Sequence, residues 1–452
     1  MNNSIIATSI QINDKCNLRC SHCVAYESDQ ITQSMELKDF KSTIFKLKNY
    51  GLKQVAFILK EPMMYPDIFE AIRYCSNSGM ETEIITNGTL ISKENVGQLI
   101  ESGITVINIS IEGISDKTND SIRGKGTFNK VIENIKLLQN ECDRRRTFIP
   151  IVIKLTLNTF NMHEVQDMAM YFQNLGINEV RFNAITLEGN AKNNTGIKLS
   201  NKELSDCVEV LVSSYSQIKN LQYSIVLNSL RPLAYIYYNI KYKLNLMVNY
   251  PSCISLHKTF SLNAQGSIYA CSNNYNEIER NDKKVIQIPN SDSLQADDIT
   301  EFLSQNKKFH DESKRIFNME KLCPSCLLNL KCQPCQLKEQ EQVVQIIDDC
   351  NFYMSKIKKL VTGATVFVLE LKNSAYITIE ENTYVCVNAY PNGKYFINNI
   401  SNEKSQWILK EVVSSGKCLI NNLDRDEDIK NTVLRLLLTD CFYIDKTVEE
   451  II

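Results

Sequence analysis

Three cysteines stand within eight residues near the start of the chain: Cys16, Cys20 and Cys23 in the run CNLRCSHC. Three thiolates on one short loop ask for an inorganic centre, and the surrounding backbone has to wrap it. A tetrahedral zinc site takes a fourth ligand of cysteine or histidine type, which His22 or a distant residue would have to supply. A four-iron cluster held by three cysteines instead leaves one iron open to bind something else. The chain has 16 cysteines in 452 residues, and ten of them fall into clusters. In a reducing compartment such clusters are candidates for metal rather than for disulfides.

Length and charge narrow the field. A chain of 452 residues is too long for one ordinary core and is expected to form several domains. The net charge of −2 lacks the basic excess of a nucleic-acid binder, so no nucleic-acid partner is expected. The first residues, MNNSIIATSIQINDK, carry no basic segment ahead of a signal-like apolar run, and no apolar stretch is long enough to span a bilayer. The expectation is a cytoplasmic protein without a membrane partner.

From about residue 35 to 190, short apolar runs alternate with amphipathic ones. QVAFIL from Gln54, ETEIITNG from Glu81, VINISIEG from Val106, PIVIKLTLN from Pro150 and EVRFNAI from Glu179 read as strands. Leu37, Phe40, Ile44 and Leu47 recur at helical spacing, as do Val165, Met168, Ala169, Phe172 and Leu175. Gly51, Gly79, Gly103 and Gly176 follow such runs, where a helix-ending glycine belongs. Repeated βα units predict a parallel sheet or barrel with function at the C-terminal strand ends. Five or six units are too few for a closed barrel of eight, so the prediction is an open, partial (β/α)6 barrel. Residues 200–250 read as helical. Residues 253–350 read as loop-rich, and after residue 365 strands return, with Pro391-Asn392-Gly393 as a hairpin turn.

CNLRCSHC, ahead of the first βα unit, resembles the signature of radical S-adenosylmethionine (SAM) enzymes. The resemblance implies that Cys16, Cys20 and Cys23 hold a [4Fe–4S] cluster whose open iron chelates the amino and carboxylate groups of SAM. One electron then cleaves the S–C5′ bond and yields a 5′-deoxyadenosyl radical. His22 takes the usually aromatic position near the adenine. Glu61, in Glu61-Pro62, resembles the acidic residue that holds the methionyl ammonium, and Asn87 stands in Thr86-Asn87-Gly88 at the next strand end. Ser110 in SIEG and Arg123 in IRGKGTF match positions that contact the SAM carboxylate or ribose. The match departs from the family where two glycines usually precede the glutamate: Leu59-Lys60 stand there.

The second cysteine set resembles the SPASM domain, a seven-cysteine extension that binds two auxiliary [4Fe–4S] clusters. The resemblance implies Cys323, Cys326, Cys332 and Cys350 as one complete ligand set. Cys253, Cys271 and Cys335 would form the other, with His257 or a substrate thiolate as candidates for its fourth position. The interval between Cys332 and Cys335 is two residues, where the family has three. On spacing alone, a zinc ribbon remains the alternative.

The expected division is a radical SAM partial barrel over 1–199, a helical bridge over 200–250, a SPASM domain over 251–352 and a small α+β, winged-helix-like domain over 365–452. That last segment resembles the leader-binding element of enzymes that mature ribosomally made peptides. The combined resemblance implies a radical SAM/SPASM peptide maturase that installs a thioether or carbon–carbon cross-link, or another oxidative change, in a ribosomally made peptide. Its cofactors would be SAM and three [4Fe–4S] clusters. Its partners would be a precursor peptide with a leader and an electron donor such as flavodoxin or ferredoxin. The alternatives are an anaerobic sulfatase-maturase-like enzyme and a non-catalytic scaffold that binds a peptide or protein.

Overall fold

A computed structural model describes residues 7–25, 33–218, 220, 222–228, 232–247, 259–269, 286–287, 350–360, 366–372, 375–380, 383–389, 395–400, 403–415, 417–421, 427–439 and 441–445. Five βα steps and a sixth strand come first: β1 (Ala7–Ile10), α1 (Leu37–Asn49), β2 (Gln54–Phe57), α2 (Ile68–Asn77), β3 (Glu81–Thr86), α3 (Val96–Glu101), β4 (Val106–Ser110), α4 (Asp116–Arg123), α5 (Thr127–Arg145), β5 (Ile151–Leu157), α6 (Val165–Asn174) and β6 (Glu179–Ala184). α7 (Asn201–Tyr215), β7 (Ser224–Leu227), α8 (Pro232–Tyr242), β8 (Thr259–Leu262), β9 (Ser267–Tyr269) and β10 (Ile286–Gln287) follow. The chain divides into two compact units: residues 1–211 with 253–315, and residues 212–252 with 316–452.

In the first unit nine strands run in the order β10-β9-β8-β1-β2-β3-β4-β5-β6. The pairs from β8 through β1 to β6 are parallel, and only β9 and β10 run antiparallel to their neighbours. All five expected strands are present where their apolar runs lie. Phe57, Ile84, Ile107, Ile109, Ile153, Leu155, Val180 and Phe182 are buried, as are Phe40, Ile44 and Leu47 of α1 and Met168, Ala169 and Phe172 of α6. Fully burying one such side chain contributes roughly 1.5–3 kcal/mol, so these rows dominate the energetics of the unit. The four expected helix-ending glycines all have positive φ, as that position requires.

The other face of the sheet is polar and concave. Arg181 on β6 lies 3.8 Å from Glu83 on β3. Three strand spacings separate those strands, about 14 Å in a flat sheet, so the sheet must curl for the two side chains to meet. A partial barrel is the result. β8 was not foreseen as part of it: the stretch read as loop-rich supplies a strand parallel to β1, pinned by Thr8 Oγ1 donating to the Phe260 carbonyl at 3.1 Å and by a Ser9–Ser261 hydroxyl pair at 2.6 Å.

The second unit contains β7, α8, α9 (350–360) and six further described strands: β11 (Val366–Leu371), β12 (Ala375–Glu380), β13 (Thr383–Ala389), β14 (Tyr395–Ile400), β15 (Lys417–Asn421) and β16 (Phe442–Asp445). Two helices, α10 (Glu403–Ser415) and α11 (Glu427–Leu437), accompany them. One small sheet of three or four strands was expected. The strands form two antiparallel sheets of three, β15-β11-β16 and β12-β13-β14. Within this unit Tyr235 fastens β7 by accepting from the Leu227 N–H and donating to the Leu227 carbonyl. Tyr353 of α9 lies against Tyr237 and Tyr238 of α8. Pro391-Asn392-Gly393 lies outside the described residues.

Leu59 and Lys60 both adopt left-handed backbone, with φ of 60° and 48°. An L residue pays about 1–2 kcal/mol there, which glycine escapes. Glycine loses about 0.5–1 kcal/mol through its freer unfolded chain, so the balance favours glycine slightly. Leu59→Gly and Lys60→Gly are each expected to leave stability unchanged or raise it by up to about 1 kcal/mol, read as the urea midpoint at constant slope. A clear loss in both would mean that the side chains, not the backbone, hold this turn.

Candidate functional site

The cysteine loop leaves the C-terminal end of β1, and neighbouring segments hold its backbone. Asn13 receives the Lys15 N–H at 2.7 Å and donates to the Glu61 carbonyl at 3.1 Å, while the Glu61 N–H donates to the Lys15 carbonyl at 3.0 Å. The Ser21 N–H donates to the Ile122 carbonyl at the end of α4 at 2.9 Å. Asn190, beyond β6, takes hold of two cysteine carbonyls: its N–H reaches Cys23 at 2.9 Å and its side-chain amide reaches Cys20 at 3.0 Å. Gly189 lets that strap come close, since a Cβ there would stand 2.3 Å from the Cys23 carbonyl oxygen.

The three thiols are free of disulfides; Cys20 is buried, and Cys16 and Cys23 are partly so. Burial pushes the Cys20 thiol up to about 11 against the pull of Arg123, and burial raises Cys16 as well. A thiol of this kind needs a cation or metal to become a thiolate, and metal coordination deprotonates it outright. Among the described residues, no three His, Cys, Asp or Glu side chains gather as ligands of a single ion. Thiolates that each bind a different iron of a cluster need not converge in that way.

The cysteine loop borders a buried carboxylate that the sequence reading passed over. Glu112, two residues beyond Ser110, has a side chain only 2% exposed. Its Oε1 accepts from Arg123 at 2.7 Å and lies 3.2 Å from His22 Nε2, and its Oε2 accepts from the Thr156 N–H at 2.8 Å. Burial would raise its pKa, but His22 and Arg123 together outweigh burial and hold it below the usual carboxylate range. Two buried nitrogens in this group have no hydrogen-bond partner, Arg123 Nε and His22 Nδ1. Unmet buried polar atoms beside three free thiols are what a bound cluster with a polar ligand would satisfy. The residues present therefore fit the group.

Glu61 is fully buried. Its carboxylate accepts from the Met63 N–H at 3.0 Å, the Thr86 hydroxyl at 2.7 Å and the Asn87 N–H at 2.7 Å. Burial still raises its pKa, because these neutral donors only partly offset the lost water. Asn87 closes the neighbouring turn, donating to Asn17 at 2.8 Å and accepting from Thr89. The structure thus brings Cys16, Cys20, Cys23, His22, Glu61, Asn87 and Arg123 to one end of the sheet. Ser110 ends β4 in register with Lys154 of β5 and makes no hydrogen bond to this group. Lys154, also unforeseen, is desolvated, which lowers its pKa to about 8. Cys350 lies on α9, in the second unit. Cys253, Cys271, Cys323, Cys326, Cys332, Cys335 and His257 lie outside the described residues.

Residues 10–169 match the radical SAM superfamily. They form a radical SAM domain. The chain is 30% identical over 193 residues to the Fe-coproporphyrin III synthase of Methanosarcina barkeri, covering 42% of this chain and 45% of that protein. It is 27% identical over 180 residues to the antilisterial bacteriocin subtilosin biosynthesis protein AlbA of Bacillus subtilis, covering 39% of this chain and 38% of that one. The chain therefore spans less than half the length of these two curated relatives. The radical SAM fold is shared with anSMEcpe, solved with bound AdoMet, at a TM-score of 0.55 and 18% identity, covering 77% of this chain and 96% of that one. The match over residues 10–169 implies SAM and a [4Fe–4S] cluster, and no described helix is long and apolar enough to cross a membrane.

Two outcomes follow for this radical SAM domain. Removing one partner of a buried ion pair costs about 3–5 kcal/mol, so Glu112→Gln is expected to fall in that range by urea unfolding. Adding Arg123→Met should return part of the loss, read as a coupling energy in a double-mutant cycle; a single-variant cost near zero would show that the pair carries nothing. For Lys154, the folded value of about 8 lies below the unfolded 10.5. Between those values the unfolded chain binds more protons, so stability rises with pH across that window. Below it the full penalty is present, about 3 kcal/mol. Lys154→Met should therefore stabilise the protein at pH 7 and do so far less at pH 10.

Proposed function

We propose that this protein is a radical SAM enzyme that oxidatively modifies a ribosomally made peptide by forming a thioether or carbon–carbon cross-link. The single observation that carries the reading is the gathering of three free thiols with the Arg123–Glu112–His22 group at one end of the curled parallel sheet. The similarity to a bacteriocin biosynthesis protein favours a peptide as substrate.

In this reading Cys16, Cys20 and Cys23 hold the cluster, and SAM lies against His22, Glu61, Asn87, Ser110 and Arg123. When bound, the two supply a one-electron cleavage that generates a hydrogen-abstracting radical. The chain's own residues do the rest. The Glu61 carboxylate, hydrogen-bonded only by neutral donors and with Arg123 as a more distant cation, offers its charge to a methionyl ammonium. Glu112 fixes the Arg123 guanidinium by one nitrogen and leaves Nε for an acceptor on the ligand. Asn190 and Ile122 hold the cysteine loop from two sides, so the thiol spacing does not depend on the loop alone. Glu61, Glu112 and Arg123 are themselves buried, which strengthens each of these charge interactions.

The resemblance of the second cysteine set to a SPASM domain supports two auxiliary [4Fe–4S] clusters, one on Cys323, Cys326, Cys332 and Cys350 and one on Cys253, Cys271 and Cys335. On the same footing, 251–352 is proposed as a SPASM domain and 365–452 as a binding module for the precursor's leader. An external electron donor of flavodoxin or ferredoxin type completes the scheme.

The test is release of 5′-deoxyadenosine from SAM by anaerobically reconstituted, reduced protein. Turnover above that of a Cys16→Ala, Cys20→Ala, Cys23→Ala control is expected. Full iron loading without turnover, unchanged when precursor peptides are supplied, would move the protein to the non-catalytic scaffold reading.

A further inference from the structure

We propose that the Ser21 hydroxyl donates a hydrogen bond to a sulfur of the cluster held by Cys16, Cys20 and Cys23, and that this bond makes the cluster easier to reduce. The inference rests on the part of the reading above that assigns a [4Fe–4S] cluster to these thiols. It goes beyond that reading by giving a redox role to a residue that is neither a ligand nor a SAM contact.

Ser21 stands between Cys20 and His22 in the cysteine loop. The Cys23 N–H donates to the Cys20 carbonyl at 3.2 Å, which closes a tight turn with Ser21 and His22 at its corners. The Ser21 N–H goes to the Ile122 carbonyl at 2.9 Å, so the turn is held against the end of α4. Its hydroxyl oxygen is buried and has no hydrogen-bond partner. Among the described residues it is the one serine or threonine hydroxyl in that condition. Hydroxyls elsewhere at this end of the sheet are engaged: Thr86 donates to Glu61 at 2.7 Å and Thr89 to Asn87 at 2.6 Å.

The oxygen acceptors around Ser21 are already in use. The Cys20 carbonyl accepts twice, from the Cys23 N–H at 3.2 Å and from the Asn190 side-chain amide at 3.0 Å. The Cys23 carbonyl accepts from the Asn190 N–H at 2.9 Å, and those of Cys16 and Leu18 accept from Arg19 at 2.9 and 3.1 Å. Glu112, which borders the loop, has one oxygen on Arg123 and His22 and the other on the Thr156 N–H. What the loop has in excess is sulfur. A neutral thiol is a weak acceptor, but metal coordination turns it into a thiolate, and a hydrogen bond to an ionised acceptor is much the stronger.

A buried hydroxyl without a partner is costly, and an alanine would fill the same turn free of that cost. Reduction adds one negative charge to a cluster. A donor beside its sulfurs stabilises the reduced state more than the oxidised one, so the bond raises the reduction potential. The electron comes from the external donor of the proposed scheme, and no proton leaves Ser21.

The test is a redox titration of reconstituted, anaerobic holoprotein without SAM. It follows the EPR signal that the Cys16→Ala, Cys20→Ala, Cys23→Ala variant lacks. Ser21→Ala is expected to lower the reduction equilibrium constant about tenfold, about 59 mV for a one-electron couple, at unchanged iron content. Ser21→Gly, which also lacks the hydroxyl, should repeat the shift, and Ser21→Thr, which keeps one, should stay close to the parent value. An unchanged potential in Ser21→Ala and Ser21→Gly, or the same fall in Ser21→Thr, overturns the hydrogen bond. A fall that appears only once SAM is added gives the hydroxyl an acceptor on SAM and overturns the assignment to the cluster. Absence of any signal that depends on the three cysteines would instead overturn the cluster reading on which the inference stands. The titration needs no turnover, so a failure to release 5′-deoxyadenosine leaves this readout intact.

Discussion

Glu112 carries a carboxylate charge into a place from which water is shut out, and the functional end of the sheet is organised around satisfying it. An unpaired charge there would be prohibitive, and a pair is tolerable only when its remaining lone pairs are also met. Arg123 comes from the end of α4, the Thr156 N–H from β5, and His22 from the cysteine loop itself. One side chain therefore fixes the relative positions of three segments far apart in sequence. The Glu112 backbone is held in turn, its N–H by Asn119 and its carbonyl by Asn161.

The cysteine loop shows the complementary arrangement. It has little apolar surface with which to anchor itself, so its backbone carbonyls are captured from outside. Asn190 takes two of them, and the Glu61 N–H takes a third. Buried backbone polar groups must be paired somewhere, and here the pairing also locates three thiols. Glu61 links this scaffold to the next strand, since its carboxylate gathers donors from both the Pro62 turn and the end of β3.

Much of the barrel could be read from the chain because its information is periodic. QVAFIL, ETEIITNG, VINISIEG, PIVIKLTLN and EVRFNAI announce buried parallel strands by apolar runs alone, and the helices between them by their spacing. Cys16, Cys20 and Cys23 are legible for a different reason, a local spacing that chemistry seldom uses for anything but metal. Glu112, Asn190 and Lys154 were not legible, because their meaning lies in partners 11 to 170 residues away. Ser110 drew attention within SIEG by its motif position, while the acid two residues later does the joining. β8 escaped for the same reason: a four-residue strand amid polar sequence is defined by its neighbour rather than by itself. The two-sheet arrangement after residue 365 depends on which strands pair, which alternation alone does not specify.

The parallel pairing of β1 with β8 has a temporal meaning. Thr8 finds its carbonyl partner 252 residues downstream, so during synthesis β1 stays an open edge until the chain has been made through Leu262. Contacts of such long sequence separation form late, because loop closure must come before the reward. Helices α1 to α6 and strands β2 to β6 have their partners nearby and can assemble first. The loop bearing the three thiols, though made among the first residues, is thus fixed at one end to a strand that is among the last of the sheet to be enclosed. For a centre assembled from metal and sulfide, that order leaves the loop approachable for most of the time the domain takes to be made.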